Sequence, residues 1–121
     1  MNQASASVAL FSYGTLRQPE VQLGTYGRLV DAQQDVLPGH RLVEILIDDP
    51  HVVSLSGKSI HTIAQPTGDA ADRVVGVVLL LTQAELDATD AYEAAAYARI
   101  EATLESGRRA FVYVDASSLD R

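Results

Sequence analysis

Eight apolar or glycine residues in a row, Val74-Val75-Gly76-Val77-Val78-Leu79-Leu80-Leu81, run straight into Thr82-Gln83-Ala84-Glu85. The run is too short to span a bilayer, and its length and β-branched content fit a central strand. The tetrad after it has the form of a capping box. Thr82 would accept the backbone N–H three residues on, while Glu85 reaches back to the N–H of Thr82. A buried strand followed at once by a helix, running to about Glu93, anchors every other assignment.

The remaining elements are shorter. Residues 1–6 are small and polar and read as a frayed start. Val8 to Phe11 is a short apolar strand that opens into Ser12-Tyr13-Gly14-Thr15. Pro19, followed by Glu20, suits the first turn of a short helix that Gly24 and Gly27 would end near Tyr26. Strands are expected from Leu29 to Val36 and from His40 to Ile47, split at Pro38-Gly39, with a second break at Asp48-Asp49-Pro50. After Val52-Val53 comes a turn-like stretch from Ser54 to Lys58, then a short strand from Ile60 to Ala64. Tyr97 to Glu105 and Arg108 to Val114 form a closing hairpin around Ser106-Gly107. About six strands with two helices argue for a small mixed α/β (α+β) barrel-like sheet with flanking helices, rather than a doubly wound parallel one. At 121 residues, a single domain over 1–121 accounts for the chain.

Charge and cysteine usage narrow the partners. A net charge of −7 repels phosphate backbones and anionic headgroups, which argues against nucleic acid and membrane surfaces but not against a small anionic ligand. Cysteine is absent, so disulfides, thiolate metal sites and cysteine nucleophiles are excluded. A chain without staples is expected in a reducing cytoplasm. His40, His51 and His61 lack chelating spacing, and no metal or cofactor is expected. Oligomeric state is not encoded in any pattern we recognise.

Two segments carry candidate chemistry. In Tyr13-Gly14-Thr15-Leu16-Arg17 a strand opens toward a helix, and a glycine allows close ligand approach to N–H groups that can converge on a carboxylate. A tight turn explains the same residues. In Asp90-Ala91-Tyr92-Glu93, Leu86 and Glu93 share one helical face, opposite a stripe of Ala84, Ala88, Ala91 and Ala95. Periodicity does not say which face meets the core, so Glu93 reads as either a surface charge or a partly buried acid.

Leu10 to Arg17 resembles the N-terminal signature of the γ-glutamylcyclotransferase-like family, which includes the γ-glutamylamine cyclotransferases. The resemblance extends through Asp90-x-Tyr92-Glu93 and Tyr97-x-Arg99 to the last strand, Ala110 to Val114, and so spans about Val8 to Val114. It implies a small β-barrel with flanking helices and cleavage of a γ-glutamyl amine or amino acid by intramolecular cyclisation. It also implies Glu93 as general acid–base and Tyr13 to Leu16 around the α-carboxylate and amine of the substrate. Arg17 reads as a carboxylate clamp or a surface charge. Tyr97 and Tyr113, with Tyr13, would line the pocket or serve as core with satisfied hydroxyls. Arg99 would orient Glu93 or form a structural ion pair. Family members commonly have glycine after the glutamate, whereas this chain has Ala94. To donate a proton at neutral pH, Glu93 is expected to be raised by burial toward roughly 6–7. A specialised γ-glutamyl-protected metabolite as substrate, and a non-catalytic binding protein, are the alternatives.

Overall fold

The computed structural model describes residues 7–46, 60–93 and 97–116. The Val52-Val53 and Ser54 to Lys58 readings, the Asp48-Asp49-Pro50 break, Ala94 and residues 1–6 lie outside them. The described strands are β1 (Val8–Ser12), β2 (Ala32–Pro38), β3 (His40–Leu46), β4 (Ile60–Pro66), β5 (Arg73–Leu81), β6 (Tyr97–Thr103) and β7 (Arg109–Asp115). Two helices, α1 (Pro19–Tyr26) and α2 (Gln83–Tyr92), and a 3-10 turn at Thr15–Arg17 complete the described elements.

All seven strands join one sheet in the order β2-β5-β1-β7-β4-β3, with β6 on β7. The apolar run is β5, paired antiparallel with β1 on one side and β2 on the other. Its side chains alternate between two clusters. Leu79 and Leu81 join Leu10, Leu16, Val21 and Tyr92 beneath the helices. Val74 and Val78 join Phe11, Leu37, Ala64, Val112 and Val114 on the opposite face. From Val77 to Leu81 both faces are covered, which suits a continuous apolar run, whereas Val75 near the start of the strand is exposed. That second cluster draws residues from strands at both ends of the sheet, which is possible only because the sheet curls around it.

The curl stops short of closure. The edge strands β2 and β3 are consecutive in sequence yet lie at opposite ends of the strand order. They meet at Gly39, whose φ of 72° is favourable only for glycine. There the N–H of Gly39 donates to the carbonyl of Asp72, and its own carbonyl accepts from Thr67. Among the described residues no ladder joins the two edges, so the expected barrel is an open, curled sheet.

The helix start matches its sequence signal. Thr82 Oγ1 accepts from the N–H of Glu85 at 3.1 Å, and Glu85 Oε1 accepts from the N–H of Thr82 at 2.9 Å. Glu85 is also bidentate with Arg28, at 2.7 and 2.8 Å, which lowers its pKa and ties the end of α1 to the start of α2. Replacing Glu85 by alanine removes both links and is expected to cost about 1–2 kcal/mol, read as a lower urea midpoint at constant slope.

Several boundaries differ from expectation, among them the end of β2 at Pro38 rather than Val36 and of β6 at Thr103 rather than Glu105. Gly24 lies inside α1, and the stop is Gly27 alone, in the left-handed conformation at φ 73°. The second strand begins at Ala32 rather than Leu29, because Leu29 and Val30 form the turn out of α1, with Leu29 exposed and Val30 packed into the helix-side core. The fourth strand continues past Ala64 to Pro66, paired to β3 throughout. No helix of the described residues is long and apolar enough to cross a membrane.

Candidate functional site

Strand β7 has two edges, and β6 occupies one of them along its whole length. The other edge is divided. β1 pairs with it in parallel at Phe111 and Val112, and β4 pairs with it in parallel at Val114. Between these rungs the sheet forks, and Tyr13, one residue past β1, fills the fork. Its hydroxyl donates to the carbonyl of Tyr113 at 2.5 Å and accepts from the N–H of Ala64 at 3.0 Å. A phenol therefore stands in for a missing backbone rung between β7 and β4.

A cavity of about 590 Å³ opens above this fork. One wall is the end of β1 and the segment after it, Phe11 to Pro19, which contains Tyr13, Gly14, Thr15, Leu16 and Arg17. Glu44 of β3 and Thr62 of β4, with Glu93, Tyr97 and Tyr113, complete the lining. All eight residues singled out from the sequence thus meet around one cavity.

The loop wall is held from beneath. Gln22, buried on α1, donates to the carbonyl of Leu16 at 2.9 Å and accepts from the N–H of Val30 at 3.1 Å. Thr15 Oγ1 shares a 2.7 Å hydrogen bond with the hydroxyl of Tyr92. A Cβ at Gly14 would meet no protein atom within 4 Å, so the space beside this backbone belongs to the cavity. The leading N–H groups of the 3-10 turn have no acceptor within the turn itself. Arg17 is exposed at the mouth, and its Nε donates to the carbonyl of Gly14 at 3.1 Å.

Helix α2 delivers Glu93. Leu86, Thr89 and Tyr92 are buried while Ala84 and Ala91 are exposed, so the leucine side of the wheel meets the core and the side bearing Ala84 and Ala91 faces outward. Thr89 Oγ1 donates to the carbonyl of Glu85 and takes a hydrogen bond of 2.6 Å from the hydroxyl of Tyr26, which packs α1 on α2. Glu93 caps α2, its N–H bonded to the carbonyl of Thr89 at 2.9 Å. The residue keeps part of its surface open to the cavity, but its carboxyl is enclosed by protein. Among the described residues no cation or hydrogen-bond donor reaches that carboxyl. Burial, and then the negative charge of Asp90, push it up to about 8. The direction agrees with the sequence expectation, and the displacement is larger.

The tyrosines are both wall and structure. Tyr97 donates to the carbonyl of Thr62 at 2.8 Å, and Tyr113 donates to Asp90 Oδ1. Burial holds the phenols of Tyr13, Tyr97 and Tyr113 well above their ordinary range, so they act as neutral hydrogen-bonding groups. Arg99 forms an ion pair with Asp90 Oδ2 at 3.1 Å and lies over the ring of Phe111. It is a structural ion pair that fixes Asp90, and through Asp90 it holds Tyr113. Gln22, Glu44 and Thr62 are the residues whose placement the sequence reading did not supply. No group of three or more His, Cys, Asp or Glu side chains suited to a metal occurs among the described residues.

Comparison with known proteins places this architecture. No curated protein matches the sequence. A solution structure from Arabidopsis thaliana is similar with a TM-score of 0.68 at 21% identity, covering 97% of this chain and 66% of that one. An uncharacterized protein from Homo sapiens gives 0.68 at 16% identity, over 94% of this chain and 68% of that one. A gamma-glutamyl cyclotransferase gives 0.66 at 15% identity, over 90% of this chain and 66% of that one. At such identities the likeness is one of fold, and this chain spans about two thirds of the length of each. The family model for gamma-glutamyl cyclotransferase, AIG2-like, matches residues 10–120, a span that contains every residue lining the cavity. That match covers most of the chain, and the chain belongs to the AIG2-like gamma-glutamyl cyclotransferase family.

Proposed function

We propose that the cavity binds a γ-glutamyl amine or γ-glutamyl amino acid and cyclises it to 5-oxoproline, releasing the amine. The observation that carries this reading is the carboxyl of Glu93, enclosed at the cavity and titrating near neutral pH. Such a group can both take and return a proton, which is what the reaction needs.

The substrate brings its own nucleophile. Its α-amine attacks the γ-carbonyl, the new C–N bond closes a five-membered lactam, and the original amide C–N bond breaks. Two protons leave the α-nitrogen and two reach the departing nitrogen, which leaves as an ammonium ion. Glu93, as carboxylate, takes the first proton from the α-ammonium and returns it to the leaving nitrogen. The N–H groups of the Gly14 to Leu16 turn and the guanidinium of Arg17 face the α-carboxylate. Tyr13, Tyr97 and Tyr113 are locked by their own hydrogen bonds, so they shape the cavity without rearranging. A rigid wall that holds the folded-back conformer removes the entropic part of the barrier. The cysteine-free composition supports a reducing cytoplasm as the compartment.

The test is a panel of γ-glutamyl amines and dipeptides, with 5-oxoproline quantified against pH. In the empty cavity Glu93 is protonated below about 8, so kcat/KM, which reports the free enzyme, is expected to rise with pH up to that value. The substrate's ammonium ion favours the carboxylate, so kcat bends at a lower pH. A kcat/KM that is flat from about pH 5 to 8 would remove Glu93 from the proton path. Binding without 5-oxoproline release across the panel would favour a non-catalytic role.

A further inference from the structure

Tyr92 stands behind the site without lining the cavity. Its ring is buried in the helix-side core with Leu10, Leu16, Val21 and Leu79. A phenylalanine would fill that core equally well, so packing does not account for the hydroxyl. The hydroxyl shares a 2.7 Å hydrogen bond with Thr15 Oγ1. The two ends of this bond belong to different parts of the proposed reaction. Thr15 begins the 3-10 turn whose N–H groups face the α-carboxylate, and Tyr92 is the last residue of α2, with Glu93 next in the chain.

The last turn of α2 is held from two sides. Asp90 accepts from the hydroxyl of Tyr113 and so ties the helix end to β7, while Tyr92 ties it to the turn. Earlier along α2, Tyr26 with Thr89 and Arg28 with Glu85 join α1 to α2, and Gln22 seats the turn on α1. Those contacts set how the helices and the turn pack. The Thr15–Tyr92 bond carries that register across to Glu93. Among the described residues no donor holds the Glu93 carboxyl, so its place depends on the backbone that bears it. Position matters here because a misplacement of about 1 Å can cost about a hundredfold in rate.

We infer that Tyr92 and Thr15 form a positioning pair, whose side-chain bond sets the separation between the turn that receives the α-carboxylate and the carboxyl that moves the proton. The inference rests on the cyclotransferase reading. It gives Tyr92 a part in the reaction that is exerted through its neighbours, since the residue lies behind the cavity wall.

A double-mutant cycle of Tyr92→Phe and Thr15→Val decides it, run on the best-cleaved γ-glutamyl compound. Each substitution removes one hydroxyl and keeps the shape. Either is expected to lower kcat about tenfold with KM within about twofold, because the turn still binds the carboxylate and its register with Glu93 is what is lost. The double mutant should also fall about tenfold, rather than about a hundredfold, since both changes break the same bond. Thr15→Ser keeps the hydroxyl and should lose far less than Thr15→Val. A bond that merely stabilises the fold would lower the urea midpoint and leave kcat of the folded protein unchanged, and that result overturns the inference. So does a large loss in Thr15→Val beside an unaffected Tyr92→Phe, which would mean that the Thr15 hydroxyl meets substrate directly. Effects that multiply in the double mutant overturn it as well. A wild type that cleaves no γ-glutamyl compound ends the cyclotransferase reading and the positioning role with it, a result distinct from an active wild type matched by Tyr92→Phe.

Discussion

Glu93→Gln is expected to lower 5-oxoproline formation by between about 10²- and 10⁴-fold, the usual contribution of a general acid–base group. It should do so while making the fold more stable. The wild-type carboxyl moves from an ordinary 4.5 to about 8 on folding because it is enclosed without a cation or a donor. A group raised in this way favours the folded state below its unfolded value, and that contribution is lost as pH rises through its folded value. Wild-type stability should therefore fall from about pH 4.5 to about pH 8 and then level off, as far as this residue is concerned. At about 1.4 kcal/mol per tenfold, the full displacement corresponds to roughly 5 kcal/mol, and water reaching the cavity reduces it to about 2–4. Glutamine has nothing to ionise, so the gap between mutant and wild type should open over that same interval. Urea unfolding at pH 5 and pH 9 measures it. An inactive mutant with no alkaline stability gain would mean that the carboxyl is solvated after all. A fully active one would end its catalytic role.

Gly76→Ala should have the largest structural effect of any single methyl addition in this sheet. A Cβ at this position would lie 2.4 Å from the backbone oxygen of Ser12 and 2.7 Å from the tip of Phe11. The backbone there does not need positive φ; the demand is for space. A flexible side chain could step aside, but the carbonyl of Ser12 is held at the end of β1 in its ladder with β5. Relief means separating the two central strands or displacing Phe11 from the inner core, at a cost of about 3 kcal/mol or more. Because Phe11 and Ser12 also line the cavity, the part of the mutant that folds should bind substrate poorly as well. A mutant with wild-type urea midpoint and KM would show that β1 and β5 approach less closely than described.

The sequence revealed most where one signal had one physical cause. The β5 run and the capping box each fixed an element to within a residue, because a long apolar run and a reciprocal side-chain bond leave few alternatives. Segments with competing signals were less legible. Leu29 and Val30 have strand composition, yet one is exposed and the other plugs the core beneath α1, a distinction made by tertiary contact alone. Gly24 and Gly27 look alike as helix stops, and only the second takes positive φ. The two faces of α2 were readable but not their orientation, since nothing in a helical wheel says that a sheet lies under Leu86. The candidate site was legible mainly through family resemblance. Tyr13 as a stand-in rung between β7 and β4, and Arg99 bound to Asp90 across the turn from α2 to β6, are partnerships that no local pattern encodes.

The fork in the sheet has a consequence for how the protein comes into being. The hydroxyl of Tyr13 can find the carbonyl of Tyr113 only once the chain has grown one hundred positions beyond it. β1 and β7 are both central strands, and their parallel pairing is the kind of distant contact that forms late and slowly. On a ribosome the first strand would wait, unpaired on that edge, until β7 had left the exit tunnel. The helices and the β3–β4 ladder can form earlier, but the pocket cannot. Activity would thus appear all at once, when β7 emerges, and a nascent chain stopped before β7 would carry nearly every pocket residue without having a pocket.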